Sequence, residues 1–233
     1  MFFPERIKSI NDNDRVLEIG PGATPFHRSD VFLELSYDSE EERIAQSGHV
    51  GILESDKTIV YYDGLKFPFK DKEFDYVICS HVLEHVNNLP FFLKELQRIS
   101  SKGYLEFPTI YYDYLHNIEE HQNMILVKNN TIYWCKKNKT PIPNLEPFTD
   151  FFRTLQRKNY RFQNEVNSLW HHGFEWFDKI NEEEVEHWKK LTYNREYLEN
   201  NIPQITLPTS NNEPLGIKSS LKQLFSAFKR KIK

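Results

Sequence analysis

Apolar positions fall into short blocks separated by polar and glycine-bearing turns, and the blocks change period along the chain. VLEI after Arg15, DVFLEL (Asp30 to Leu35), TIVYYD (Thr58 to Asp63), FDYVICS (Phe74 to Ser80) and Gly103 to Phe107 read as five strands, the fourth almost continuously apolar. Near-continuous runs suit strands buried on both faces. Between them, Ser39 to Gln46 has an acidic first turn, and Asn88 to Ile99 places Leu89, Phe92, Leu93, Leu96 and Ile99 at helical spacing. Strands alternating with helices predict a mostly parallel, doubly wound α/β sheet.

The second half has a different pattern. Asn123 to Lys137 predicts a hairpin, MILVK and TIYWCKK joined at Asn129-Asn130, residues that tolerate the left-handed backbone of a type I′ turn. Pro141, Pro143 and Pro147 precede a helix expected from Thr149 to Lys158, and LWHHGFEWF (Leu169 to Phe177) is expected to supply the last strands. The segment from 108 to 178 reads as a cap inserted into one domain spanning 1–200. Polar, Pro-bearing residues 201–214 then form a linker to a tail, 215–233.

Composition narrows the classes. With 233 residues, 39% hydrophobic and 15% aromatic, the chain can bury a sizeable core. A net charge of −4 argues against nucleic acid as a partner. Cys79 and Cys135 have no metal-like spacing, no apolar run reaches a membrane span, and Met1 to Glu5 lacks a secretion-signal pattern, so a cytoplasmic setting is expected. In the tail, Ile217, Leu221, Leu224, Phe225, Phe228 and Ile232 form one stripe opposite lysines, and no acid occurs from Lys218 onward. That pattern fits an interfacial helix and gives the expectation of peripheral membrane contact through Leu215 to Lys233.

Acidic residues mark the ends of three successive strands: Glu18, Glu34 and Asp63. A carboxylate after the second strand can accept both ribose hydroxyls, and one after the third can accept an adenine amino group. Gly20 and Gly22 give the first turn, but no third glycine follows, which weighs against a pyrophosphate. Only Ala23 to Leu33 separates Gly22 from Glu34, with Pro25 inside, so there is no room for a long first helix.

From Arg15 to Phe107 the chain resembles the class I S-adenosylmethionine-dependent methyltransferases, in the small-molecule branch related to the ubiquinone-biosynthesis enzymes. VLEIGPG, FLELS and YYDGLKFPFKDKEFDYVICSHVLEHV carry the resemblance in the family's order. It implies a Rossmann-like, doubly wound, mostly parallel seven-stranded sheet with a cap after strand 5. It also implies S-adenosylmethionine as cofactor: Glu18, Gly20 and Gly22 at the methionine end, Glu34 on the ribose, Asp63, Gly64 and Leu65 on the adenine, and Ser80 and His81 facing the sulfonium.

His81-Val82-Leu83-Glu84-His85 has three readings. As H-x-x-E-H it matches an inverted zinc-protease motif, which needs a helix. As a counterpart of E-x-x-E-H in related O-methyltransferases it gives a divalent-metal site at His81, Glu84 and His85, with His81 favouring a softer ion than Mg²⁺. The third reading is a loop that shapes the acceptor site. Farther on, His116, Glu119, Glu120 and His121 lie where substrate loops return, and His85 and His121 are the candidate bases, His121 being also a candidate metal ligand. His171 and His172 sit in an aromatic cluster read as core. The expected function is O-methylation of a small-molecule or glycan hydroxyl, with a lipid-linked or cell-surface saccharide as the acceptor in view. The rival is a non-catalytic binding scaffold.

Overall fold

The computed structural model describes residues 1–39, 41–43, 53, 55–146, 148–157 and 170–201. Strands β1 (Val16–Ile19), β2 (Val31–Leu35), β3 (Thr58–Tyr62), β4 (Tyr76–Ser80), β5 (Lys102–Pro108) and β8 (His171–Phe177) form one sheet in the order β3-β2-β1-β4-β5-β8. The first five are parallel, and β8 closes the edge antiparallel to β5, with Gly103 opposite Trp176. Six strands therefore stand where seven were expected, among the described residues. Strand order reverses between β1 and β4, so the crevice for a ligand lies at the carboxyl ends of those two strands.

Helix α1 (Leu89–Ile99) forms where the spacing predicts it. Asn88 caps it by accepting the Phe91 N–H (3.1 Å), Pro90 sits in the first turn, and Leu89, Phe92, Leu93, Leu96 and Ile99 are all buried against the sheet. On its far side the Arg98 guanidinium grips Glu95 (2.7 Å) and the carbonyls of Phe67 and Phe69 (3.1 and 2.7 Å), while Glu95 accepts the Phe67 N–H (2.9 Å). The KFPF stretch before β4 is thus held in place by α1, with Phe67 buried in the main core.

The cap contains α2 (Ile110–His116), the hairpin β6 (Asn123–Lys128) and β7 (Thr131–Lys136), and α3 (Phe148–Arg157). Asn129 and Asn130 both have positive φ, 49° and 56°, the left-handed pair a type I′ turn requires. Strand β9 (Asn181–Glu184) pairs parallel with β7, so the second, three-stranded sheet has the order β6-β7-β9. Met124, Leu126, Cys135 and Ile142 form its own buried cluster with Ile110. Asn123 joins this cap to the sheet: its side-chain amide donates to the carbonyls of Leu83 and Val86 (2.8 and 2.7 Å).

Residues 1–193 make one compact unit and 194–233 another. In the latter, α4 (Arg195–Asn201) is capped by the Asn194 side chain, which accepts the Tyr197 N–H (2.7 Å). The helix expected from Ser39 is helical over residues 41–43. Its continuation, the linker and the Leu215–Lys233 tail lie outside the described residues. No helix among the described residues is long and apolar enough to cross a membrane.

Candidate functional site

The first turn closes on itself. Residues 23–29 form turns with no helix, as the spacing requires, and the buried Glu18 carboxylate holds them by accepting the Phe26 N–H (2.8 Å) and the Ser29 hydroxyl (2.7 Å). Glu18 is therefore a loop clamp on this side of the crevice. Gly20 and Gly22 have φ of 59° and 58°, and a Cβ on Gly20 would meet the Val82 side chain at 2.8 Å. Glycine is needed at position 20 both for its backbone and for the close approach of the loop after β4.

Beyond β2 and β3, a cavity of about 410 Å³ is lined by Leu35, Ser36, Tyr37, Arg43 and Tyr61. Glu34 stands at the end of β2, and its carboxylate makes no hydrogen bond to another described residue. Burial, and then repulsion from Glu18, pushes its carboxyl up to about 7 against the pull of Arg43. Asp63 accepts the Leu65 N–H (2.9 Å) through Oδ1, so that N–H is engaged and Asp63 Oδ2 remains for a ligand. Tyr61 and Leu65 expose apolar surface here, 61% and 69% respectively.

After β4 the chain turns sharply. His81 has φ 58°, a conformation costly for a non-glycine residue by about 1–3 kcal/mol. Glu106, fully buried in β5, holds it there: its carbonyl accepts the His81 N–H (2.8 Å), and its Oε1 lies 3.1 Å from His81 Nε2. The same carboxylate accepts the Ser80 hydroxyl (3.0 Å), the Tyr104 hydroxyl (2.7 Å) and the N–H groups of Phe2 and Phe3 (2.6 and 3.0 Å). The Phe2 ring covers His81 and His171, with centroids 5.1 and 4.5 Å away. Burial disfavours a charged His81, yet Glu106 and Glu84 overcome it and raise the imidazole to about 9. Ser80 and His81 thus border the crevice with the Ser80 hydroxyl and His81 Nε2 committed to Glu106 and His81 Nδ1 facing Glu84. The sequence reading missed this residue, although an acid inside the apolar run YLEFP is a signal in itself.

Residues 83–85 form a turn and not a helix, which removes the zinc-protease reading. Glu84 is buried, and neither of its oxygens makes a hydrogen bond; His81 Nδ1 lies 3.3 Å and His85 Nε2 4.0 Å away. His85 Nδ1 faces the Glu120 carbonyl (3.1 Å), and His121 Nδ1 faces Asp113 Oδ1 (2.7 Å). The two imidazoles meet edge to face at 4.9 Å. One ligand atom from each of Glu84, His85 and His121 can come within 4.8 Å of the others. His81, expected in a metal set with Glu84 and His85, stands outside this trio because Glu106 holds its ring. For His121, burial opposes a charge, but the Asp113 carboxylate prevails and raises its pKa; burial and then His121 itself outweigh Glu84 at His85 and lower it. His116 is elsewhere, stacked on Tyr112 at 4.0 Å, and Glu119 lines a cavity in the cap that His121 also reaches. His172 is occupied by the Tyr193 hydroxyl (2.6 Å).

A doubly wound sheet with a glycine turn at its switch point, and carboxylates ending the next two strands, is an arrangement that suits a nucleoside ligand. Residues 30–106 match the family model described as a methyltransferase domain, starting just past the first glycine turn. Over those residues the chain is thus similar to the methyltransferase domains of S-adenosylmethionine-dependent enzymes. Over 140 residues it is 26% identical to the demethylmenaquinone methyltransferase of Anoxybacillus flavithermus, covering 52% of this chain and 57% of that protein. The chain matches little more than half the length of that relative. Similar solved structures include a protein from Pyrococcus horikoshii OT3 (21% identity, 53% of this chain and 66% of that one, TM-score 0.37). Another is an S-adenosylmethionine-dependent methyltransferase from Thermotoga maritima, titled a possible histamine N-methyltransferase (23% identity, 46% and 49%, TM-score 0.31).

Proposed function

We propose that this chain transfers the methyl group of S-adenosylmethionine to a hydroxyl of a small-molecule or glycan acceptor, with His121 taking the acceptor's proton. The observation that carries the reading is the His121–Asp113 pair at 2.7 Å beside the crevice. Asp113 fixes the imidazole by holding Nδ1, which leaves Nε2 as the proton-accepting atom. His85 is held in the same way by the Glu120 carbonyl and is the alternative base. When bound, S-adenosylmethionine supplies an electrophilic methyl group on a sulfonium.

The residues present suit that cofactor. Glu34 offers a carboxylate with no hydrogen bond to another described residue, where a ribose diol would lie; Tyr61 and Leu65 offer apolar surface to an adenine, and Asp63 Oδ2 an acceptor for its amino group. Backbone at Gly20 and Gly22, with Ser80 and His81 opposite, borders the methionine end. Much of the rate advantage would come from holding acceptor and methyl donor in line in a site shielded from water.

Calorimetry with S-adenosylmethionine tests the reading and its pH dependence together. A ribose diol donates to the Glu34 carboxylate, so affinity should fall as pH drops below about 7, by up to about tenfold per unit, and E34Q should flatten the profile. The sign is opposite for folding. An acid raised in the folded state stabilises it while protonated, so that contribution fades as pH climbs from the ordinary glutamate range to about 7. No binding at millimolar cofactor would favour the non-catalytic scaffold.

A second reading has its own observation: the buried Glu84 carboxylate makes no hydrogen bond, faces the His81 ring at 3.3 Å, and is flanked by two further imidazoles with fixed Nδ1 atoms. Two histidines and a carboxylate suit a borderline divalent ion, which would polarise an acceptor hydroxyl. Zinc titrated into metal-free protein should bind near one equivalent, and E84Q should abolish it. Heat flow no different from buffer would leave His121 as the base.

A further inference from the structure

His121 also lines a cavity of about 610 Å³ lying entirely within the cap, between the end of α2, the turn after β7 and α3. Among the described residues its wall is built of polar and charged side chains, with Pro143 the one apolar residue and His121 the one aromatic ring, and the aliphatic stems of the lysines and Arg153 supply apolar surface as well. Such a lining suits a hydrophilic ligand, since binding sites for apolar molecules present mostly hydrophobic and aromatic side chains.

The charges in the wall are unevenly matched. Arg153 is satisfied, its guanidinium donating to the Glu146 carboxylate (3.1 Å) and the His116 carbonyl (3.1 Å). Lys136 and Lys137 are not matched in this way. Strand pairing ends at Lys136, and a 3-10 turn begins at Lys137, which breaks the alternation of side chains and lets two consecutive lysines line one cavity. Lys136 Nζ donates to the Asn87 carbonyl (2.7 Å) and Asn123 Oδ1 (2.9 Å), and Lys137 Nζ donates to the Ile118 carbonyl (2.5 Å). All three acceptors are neutral, and among the described residues neither ammonium has a carboxylate within 4.0 Å. Both are partly withdrawn from water, which lowers their pKa values. Each ammonium carries three N–H donors, so Lys136 keeps one and Lys137 two for a ligand. Among the described residues Glu119 is the one acid lining the wall outside the Arg153–Glu146 pair, and Asp113 and Glu120 also act on Lys137 from behind it.

We infer that this cavity recognises the methyl acceptor, and that the acceptor is a hydroxylated anion whose carboxylate or phosphate group docks on Lys136 and Lys137. The inference rests on the methyltransferase reading for the ligand's role, with the acceptor hydroxyl directed toward His121. It disfavours a purely apolar acceptor, which would cover both ammonium groups without supplying a partner for them.

Isothermal titration of the full chain with glucuronate, glucose 6-phosphate and glucose tests the inference, and the two anions separate a carboxylate from a phosphate. At least one anionic sugar should bind about tenfold or more tightly than glucose. K137M and K136M should each remove that preference, while Lys137→Arg, which keeps the charge, should retain it. S-adenosylmethionine affinity, measured on the same variants, should stay unchanged and also reports that they are folded. If S-adenosylmethionine binds but neither anion exceeds glucose, or if K137M and K136M keep the preference, the inference is overturned while the cofactor reading stands. If the sugars behave as expected and S-adenosylmethionine does not bind, the cavity is an anion site and the methyltransferase reading fails.

Discussion

His121→Asn is expected to lower kcat by about 10²- to 10⁴-fold, the usual contribution of a placed general base, while leaving S-adenosylmethionine affinity unchanged. The reason is the position of the imidazole. It lies in the cap, tied to Asp113 at 2.7 Å, and touches none of the residues after β2 or β3 that would hold the nucleoside. Asp113→Asn should act through the same ring. The amide can offer its own N–H to Nδ1 and so favour the wrong tautomer, and the loss of kcat should come with little change in KM. Single-turnover kinetics with labelled S-adenosylmethionine, alongside cofactor calorimetry, separates the two effects. A His121→Asn protein with unimpaired turnover would move the base role to His85.

The second large effect is on stability. Glu106→Ala is expected to cost about 3–5 kcal/mol, the range for removing one partner from a buried charged network. The carboxylate is fully buried and serves five groups: two backbone N–H groups from Phe2 and Phe3, two hydroxyls and the His81 ring. Removing it leaves buried donors with no acceptor and releases a residue whose left-handed backbone depends on that grip. For a domain of this size, each kcal/mol corresponds to about 2–4 °C, so Tm should drop by roughly 6–20 °C. Urea denaturation followed by circular dichroism gives the free energy directly. A loss under about 1 kcal/mol would mean that the network relaxes around the gap. Glu106 also carries a pH signature. Burial works against its charge, but His81, Tyr104 and the Phe2 N–H hold the carboxyl down at about 2, so its contribution persists through neutral pH and fades only as pH falls from the ordinary glutamate range toward that value.

The elements whose information is local were legible in the sequence. VICS and VFLEL declare buried parallel strands by being apolar almost throughout, α1 declares itself by the spacing from Leu89 to Ile99, and Asn129-Asn130 declares its turn through backbone tolerance. The missing first helix was legible too, because Pro25 and a short spacing leave no alternative. Strand β9, NEEE, was not: it has no hydrophobic period, and it forms because β7 offers a parallel partner and because Glu182 accepts the Trp134 indole N–H (2.8 Å). The site divides along the same line. Glu34 and Asp63 could be named from strand ends alone. Glu106 stands out as an acid in an apolar run, but its partners became visible only through the β4–β5 register that sets it against Ser80, and Asp113 only through the turn that brings His121 back over α2. Lys136 and Lys137 looked like the two faces of a strand, and the 3-10 turn between β7 and Pro141 makes them neighbours on one wall.

The amide of Asn123 has a further consequence. Its two hydrogen bonds to the Leu83 and Val86 carbonyls, joined by the Gln122 and Asn123 N–H bonds to the Glu84 carbonyl (2.7 and 3.0 Å), attach the hairpin to the four-residue stretch from Leu83 to Val86. His121, Lys136 and Lys137, proposed to handle the acceptor, sit at the hairpin's ends beside that joint, whereas the residues proposed to hold the nucleoside stand at the ends of the parallel strands. Lineages sharing this sheet could therefore exchange the hanging part and acquire new acceptors without re-evolving the donor half, provided that an asparagine or an equivalent fastening arrives with it.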